Sequence, residues 1–182
     1  HAIDAGLPKW TQLSFFLHTT AGLSWLGGLL GLIWWMFTAH AKPPELAAQL
    51  AEKWSKIAKI SMLIVASSGI LIAWENVGSI PNMLATPYGR LLTLKLLFLC
   101  GALLCALLIV RYMRSRQSGA FNVSYVGKIG LIEAGFGLSL LAIASYIAVI
   151  TPASHENDIY WPLPFRLSYI ATWGQNPIFP SA

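Results

Sequence analysis

The chain has 182 residues, of which 56% are hydrophobic and 10% charged, and its formal net charge is +5. A soluble domain carries roughly 25% charged residues, so this composition excludes a soluble enzyme. The 12 Lys and Arg come without a basic-aromatic recognition pattern, which excludes nucleic acid as a partner, and two cysteines cannot make a disulfide scaffold.

The first ten residues, HAIDAGLPKW, have no apolar core and do not form a signal peptide, so a mature or partial chain is expected. If His1 is a processed terminus, its amine and imidazole together would chelate Cu(II) through nitrogen; a truncated terminus is the plainer alternative. Crossing a hydrocarbon core takes about 20 apolar residues at 1.5 Å each. Residues 11–37 (TQLSFFLHTTAGLSWLGGLLGLIWWMF) meet that requirement. His18 lies about 10 Å inside this first span by helix rise.

Loop 38–54 carries Lys42 and Lys53, and Lys56 and Lys59 follow at the start of the second span, 55–75. Loop 76–88 has no basic residue. The third span, 89–112 (GRLLTLKLLFLCGALLCALLIVRY), opens with Arg90 and holds Lys95 about 9 Å inside. A second basic loop, 112–125, carries Arg114 and Arg116. The fourth span, 126–150, contains Glu133. The bias of Lys and Arg toward two alternate loops places those loops in the cytoplasm and both termini outside. None of the spans alternates with the period of two that a barrel strand needs. The predicted fold is an all-α, four-helix transmembrane bundle over residues 1–152, N-out and C-out. Trp10, Trp74, Tyr88, Trp161 and Trp173 suit an outer aromatic belt, and Trp34, Trp35, Trp54 and Tyr112 an inner one.

Residues 151–182 change character, with five prolines and no long apolar run, and 153–182 form the tail beyond the bundle. PFRLSYIATW (164–173) suits a short helix with Pro164 at its first position, lying at the outer interface or docking a partner. His155, Glu156 and Asp158 are a weak loop candidate for a metal.

Ionisable groups inside a membrane usually face the bundle interior. Lys95 and His18, at similar depth, are expected to share a small polar site open to the outside; the alternative is a snorkelling lysine and a histidine bonded to a backbone carbonyl. Gly130 and Gly137 flank Glu133 in a small-residue stripe, continued by Ala134, Leu141 and Ala144, that should pack on another helix and turn Glu133 inward. Its level matches Lys59 better than Lys95, so a Glu133–Lys59 pair is expected, or a protonated Glu133 if Lys59 reaches the interface. A b-type haem, usually held by two histidines on facing helices, is disfavoured because His18 is alone within a span. Cys100 and Cys105 point about 140° apart on one helix and read as small core residues, with Met62 and Met113 the nearby sulfurs in the pattern. No catalytic constellation is present, so a non-enzyme is expected.

The ordered motifs resemble the CopD/PcoD family of copper-resistance inner-membrane proteins. HTTAGLSWLGG (His18 to Gly28) is similar to that family's His followed by Trp-Leu-Gly-Gly. TPYGRLLTLK (Thr86 to Lys95) is similar to its signature, and IEAGFG (Ile132 to Gly137) to its glutamate-glycine helix. The likeness spans about residues 15–152. It implies copper transport or handling at the inner membrane, a copper ion as the bound species and a periplasmic partner of the CopC type. His18, Trp25, Thr86, Tyr88, Arg90, Lys95 and Glu133 are the positions carried over. Longer family members have spanning segments ahead of the part matched here, and these 182 residues lack the Met- and His-rich stretches of some copper-resistance proteins. A second function, from a different class, is a non-catalytic subunit packed against other subunits of a respiratory or copper-oxidase membrane complex.

Overall fold

The computed structural model describes residues 9–38, 43–78, 82–115 and 121–155. They form α1 (Lys9–Thr38), α2 (Pro44–Val77), a single turn α3 (Asn82–Ala85), α4 (Pro87–Ser115), α5 (Val123–Ile147) and a 3-10 turn at Ala153–His155. Helices α1, α2, α4 and α5 are each long and apolar enough to cross a membrane, in agreement with the predicted all-α bundle. The end of the bundle where α1 and α4 finish carries Lys53, Lys56, Arg111, Arg114 and Lys128 and is called the basic end. The opposite end holds α3 and the 3-10 turn and is called the junction end.

The second helix departs from expectation. It starts at Pro44, inside the stretch read as a loop. Pro43 and Pro44 pre-set the first turn, Glu45 complements the helix dipole, and LAAQLAEKW consists mostly of strong helix formers. Its early residues Ala47 and Ala51 are buried with Met36, Phe121 and Val126. At 34 residues it is about 51 Å long by helix rise. That exceeds a hydrocarbon core of about 30 Å, so its first turns stand beyond the lipid tails.

The four spans line up in space as α2, α1, α5, α4, while α2 and α4 barely touch. Small residues set this order. Gly130 and Gly137 of α5 lie against Ile33 and Leu26 of α1, and a Cβ at Gly137 would fall 2.6 Å from Leu26. On α4, Gly101 receives the Phe136 ring, which also meets Phe98 edge to face. At the bundle centre Trp25, Leu26, Leu29, Ile33, Ala102 and Ala134 form one buried cluster. The Gly130–Glu133–Gly137 stripe thus packs as expected, but it stops there: Leu141 is exposed.

Trp54 was expected in an aromatic belt and instead packs inward. Its ring fills the notch left by Gly28, where a Cβ would lie 2.1 Å away. Trp34 and Trp74 are exposed, as belt residues should be. Hydroxyls within the spans fold back on their own helices: Ser14, Ser67, Ser139 and Ser145 each donate to the carbonyl four residues earlier. In lipid that bond replaces the water a surface serine would have. At the basic end the Asn122 side chain caps α5 by accepting from Tyr125 N–H, while Asn122 N–H donates to the Tyr112 hydroxyl.

Candidate functional site

His18, in the second turn-pair of α1, lies against α2. Its Nδ1 is 3.0 Å from the Val65 carbonyl oxygen and 3.2 Å from Ser68 Oγ. A carbonyl only accepts, so Nδ1 carries the proton. Nε2 is then the nitrogen with a lone pair. Ser68 Oγ spends its own proton on the Ile64 carbonyl, which orients its lone pairs toward the imidazole. Beneath the ring is Gly69; a Cβ there would come within 3.0 Å of His18 Cε1. The SSG run at 67–69 was visible in the sequence only as small residues inside a span. Its pairing with His18 depends on helix register.

Lys95 of α4 is half-buried and lies within electrostatic reach of His18. By helix rise the two are about 12–14 Å from the starts of their helices. The two thus lie at a similar level, and His18 is bonded to a backbone carbonyl, the arrangement that the sequence offered as the alternative for this residue. Arg90 does not join them. Its Nε donates to the Leu84 carbonyl at 2.9 Å and its Nη2 to Ala85 at 3.4 Å, on the exposed side. It caps the end of α3.

Thr86 and Tyr88 belong to the same junction. Thr86 is the N-cap of α4: its Oγ1 accepts from Gly89 N–H at 3.0 Å and donates to the Asn82 carbonyl at 2.7 Å. Pro87 at the first helical position needs no N–H partner. Asn82, buried to 1%, donates through Nδ2 to the Val77 carbonyl at the end of α2. Tyr88 is buried with Val77 and Ala153. The first five residues of the TPYGRLLTLK signature thus build a clasp among α2, α3, α4 and the 3-10 turn, and its last, Lys95, lies deeper on α4.

Glu133 faces inward as expected and is 5% exposed, yet the expected ion pair with Lys59 does not form. Lys59 is exposed on α2 and only lines the same hollow. The hydrogen-bonding side chain that Glu133 meets is Trp25, whose indole N–H can only donate. Trp25 in turn packs against Gly137, so the WLGG and IEAGFG motifs interlock. The Cys105 thiol is buried within electrostatic reach of Glu133, and Cys100 is exposed. The two thiols thus face different surroundings, as their spacing requires.

Among the described residues no three His, Cys, Asp or Glu side chains gather as a metal cage. His18 offers one ring nitrogen with a free lone pair. His1 and the region of residues 156–182, including the expected interfacial helix at 164–173, lie outside the described residues.

Comparison with known proteins agrees with this architecture. Residues 48–150 match the family described as copper resistance protein D, CopD. The inner membrane protein YebZ of Escherichia coli (strain K12) is 28% identical over 144 residues, 78% of this chain and 49% of that protein. The chain therefore spans about half the length of the curated relative it matches. No solved structure matches it. With the family match covering more than half of the residues, and its motifs forming the clasp and the central packing seam, the chain belongs to the copper resistance protein D family.

Proposed function

We propose that this protein handles copper at a bacterial inner membrane, with its junction end facing the periplasm and His18 as the first contact for the ion. The observation that carries the reading is the fixed imidazole: Nδ1 is held by Val65 and Ser68, and Gly69 leaves room for the ring. Holding one ring nitrogen by a backbone carbonyl is how a metal-binding histidine is set in a defined tautomer, with the other nitrogen left to ligate. Imidazole nitrogen suits copper. The Lys95 ammonium nearby disfavours a lasting cation, so the ion is received and released rather than stored. A soluble periplasmic copper carrier of the CopC type is the partner this arrangement calls for.

Metal analysis of purified protein loaded with Cu(I), together with copper tolerance of cells, tests the proposal. His18→Ala should lose the bound copper and alter tolerance. Gly69→Ala, which displaces the ring while keeping it, should weaken both. Copper content and tolerance unchanged in His18→Ala would overturn the reading.

A further inference from the structure

We propose that the open side between α2 and α4 binds one anionic phospholipid, with its acyl chain in the hollow and its phosphate between Lys59 and Arg114. The site is separate from His18 and does not depend on copper handling.

The hollow exists because of the helix order. Since α2 and α4 barely touch, a cavity of about 310 Å³ remains between them, floored by α1 and α5. Its walls are apolar, with Trp54, Ala58 and Met62 on one side and Ala106, Leu107 and Val110 on the other. It extends along α2 from Ala51 to Met62 and along α4 from Ala102 to Arg114. By helix rise that is about 17–18 Å. A single leaflet contributes about half of a 30 Å hydrocarbon core. The hollow is therefore as long as one lipid chain and too short for a transmembrane helix of a partner. Trp25 and Glu133 stand at its closed end, and Glu133 is turned to Trp25 rather than to the basic rim.

Charge decides which lipid. At the basic end the hollow adjoins a second one of about 260 Å³, lined by Glu52, Ser55, Lys56, Lys59 and Arg114. The carboxylate there is already engaged: Glu52 pairs with Lys56 at 3.1 Å. Lys59 and Arg114 have no acidic partner among the described residues. Arg114 stands at the basic end of the slot, Lys59 lines the same polar hollow from deeper on α2, and from Arg114 the apolar slot runs about 18 Å along α4 to Ala102. A basic pocket between spanning helices is suited to an anionic headgroup, because each Lys or Arg is attracted to its charge. The planar guanidinium of Arg114 matches a phosphate with two parallel bonds, which a zwitterionic headgroup rewards less because its own cation is repelled.

The test uses the full chain purified in mild detergent, with retained lipids extracted and quantified by mass spectrometry. Phosphatidylglycerol should be enriched several-fold over phosphatidylethanolamine relative to the source membrane. In nanodiscs, adding phosphatidylglycerol to phosphatidylcholine should raise the melting temperature. The double substitution Lys59→Gln, Arg114→Gln should return the retained lipid to bulk composition, whereas Lys53→Gln, outside the hollow, should not. Ala106→Phe fills the slot without changing charge and should also abolish retention. Unchanged enrichment in the double variant would overturn the assignment. So would stabilisation of the wild type by inorganic phosphate equal to that by phosphatidylglycerol. Cross-linking of Ala106→Cys to a second copy would place a dimer there instead.

Discussion

Replacing Gly89 by alanine probes the clasp at the junction end. A Cβ on Gly89 falls 2.0 Å from the Asn82 carbonyl oxygen and 2.4 Å from Met83 Cα. Both are backbone atoms, so no side-chain rotation relieves the clash. The gap to Asn82 must widen from 2.0 Å to about 3.4 Å before contact is ordinary. That movement pulls the Asn82 carbonyl from Thr86 Oγ1, now at 2.7 Å, and from Thr86 N, now at 3.2 Å. Asn82 and Thr86 are 1% and 0% exposed, so water cannot take over. Overpacking a tight site costs about 1–3 kcal/mol, and a buried group left unpaired costs about 1–3 more. The better helix propensity of alanine returns about 1 kcal/mol. The net loss is about 3 kcal/mol, which at roughly 2–4 °C per kcal/mol lowers the melting temperature by about 6–12 °C. Gly27 is the internal control, since nothing lies within 4 Å of a Cβ there. Gly27→Ala should melt at or slightly above the wild type. Gly28→Ala should fall between the two, because the group it strikes is the movable ring of Trp54. Heating in detergent, followed by circular dichroism and tryptophan fluorescence, measures all three. A Gly89→Ala variant melting with the wild type would refute the clasp.

Two further outcomes follow from the same geometry. Arg90→Ala should destabilise by about 0.5–1.5 kcal/mol, the worth of an exposed set of hydrogen bonds, with little change in copper binding. Arg90→Lys should not restore it, because a point charge cannot reach the Leu84 and Ala85 carbonyls together as Nε and Nη2 do; thermal melts and metal analysis check both. For orientation, Ser115→Cys in a background with Cys100 and Cys105 replaced by alanine should react with a membrane-impermeant maleimide only after cells are broken. Labelling in intact cells would reverse the topology.

Much of this architecture is legible in the residues because lipid is a simple selector. Runs of Leu, Ile and Ala between basic loops locate four spans, and the glycines flanking Glu133 locate its buried face. Helix ends were less legible. The start of α2 at Pro44 was read as a loop because hydropathy falls there, although propensity stays high; tertiary burial of Ala47 and Ala51 decides for helix. The expected Glu133–Lys59 pair was an argument from depth alone. Depth says nothing about azimuth: Lys59 lines the open side between α2 and α4, while Trp25 takes the place beside the carboxyl. Arg90 and Lys95 both come from one family signature, yet they serve different places. Five residues along a helix is 500° of rotation, which puts the two on different sides of α4. The seat of His18 on Val65, Ser68 and Gly69 depends on helix register, which depth does not supply either.

The spacing of polar groups has an electrical consequence. From His18 to Trp25, where Glu133 begins, α1 rises about 10 Å. Over that interval the buried position is Ala21, with Gly22 half-buried beside it. On the neighbouring α2, Ser67 and Ser68 spend their hydroxyls on their own backbone. Moving a bare ion into so dry a layer costs of order 20 kcal/mol in the idealised limit. Under the proposed function, an ion received at His18 meets this apolar layer next, and its onward passage requires a change in how α1 meets its neighbours at Ala21.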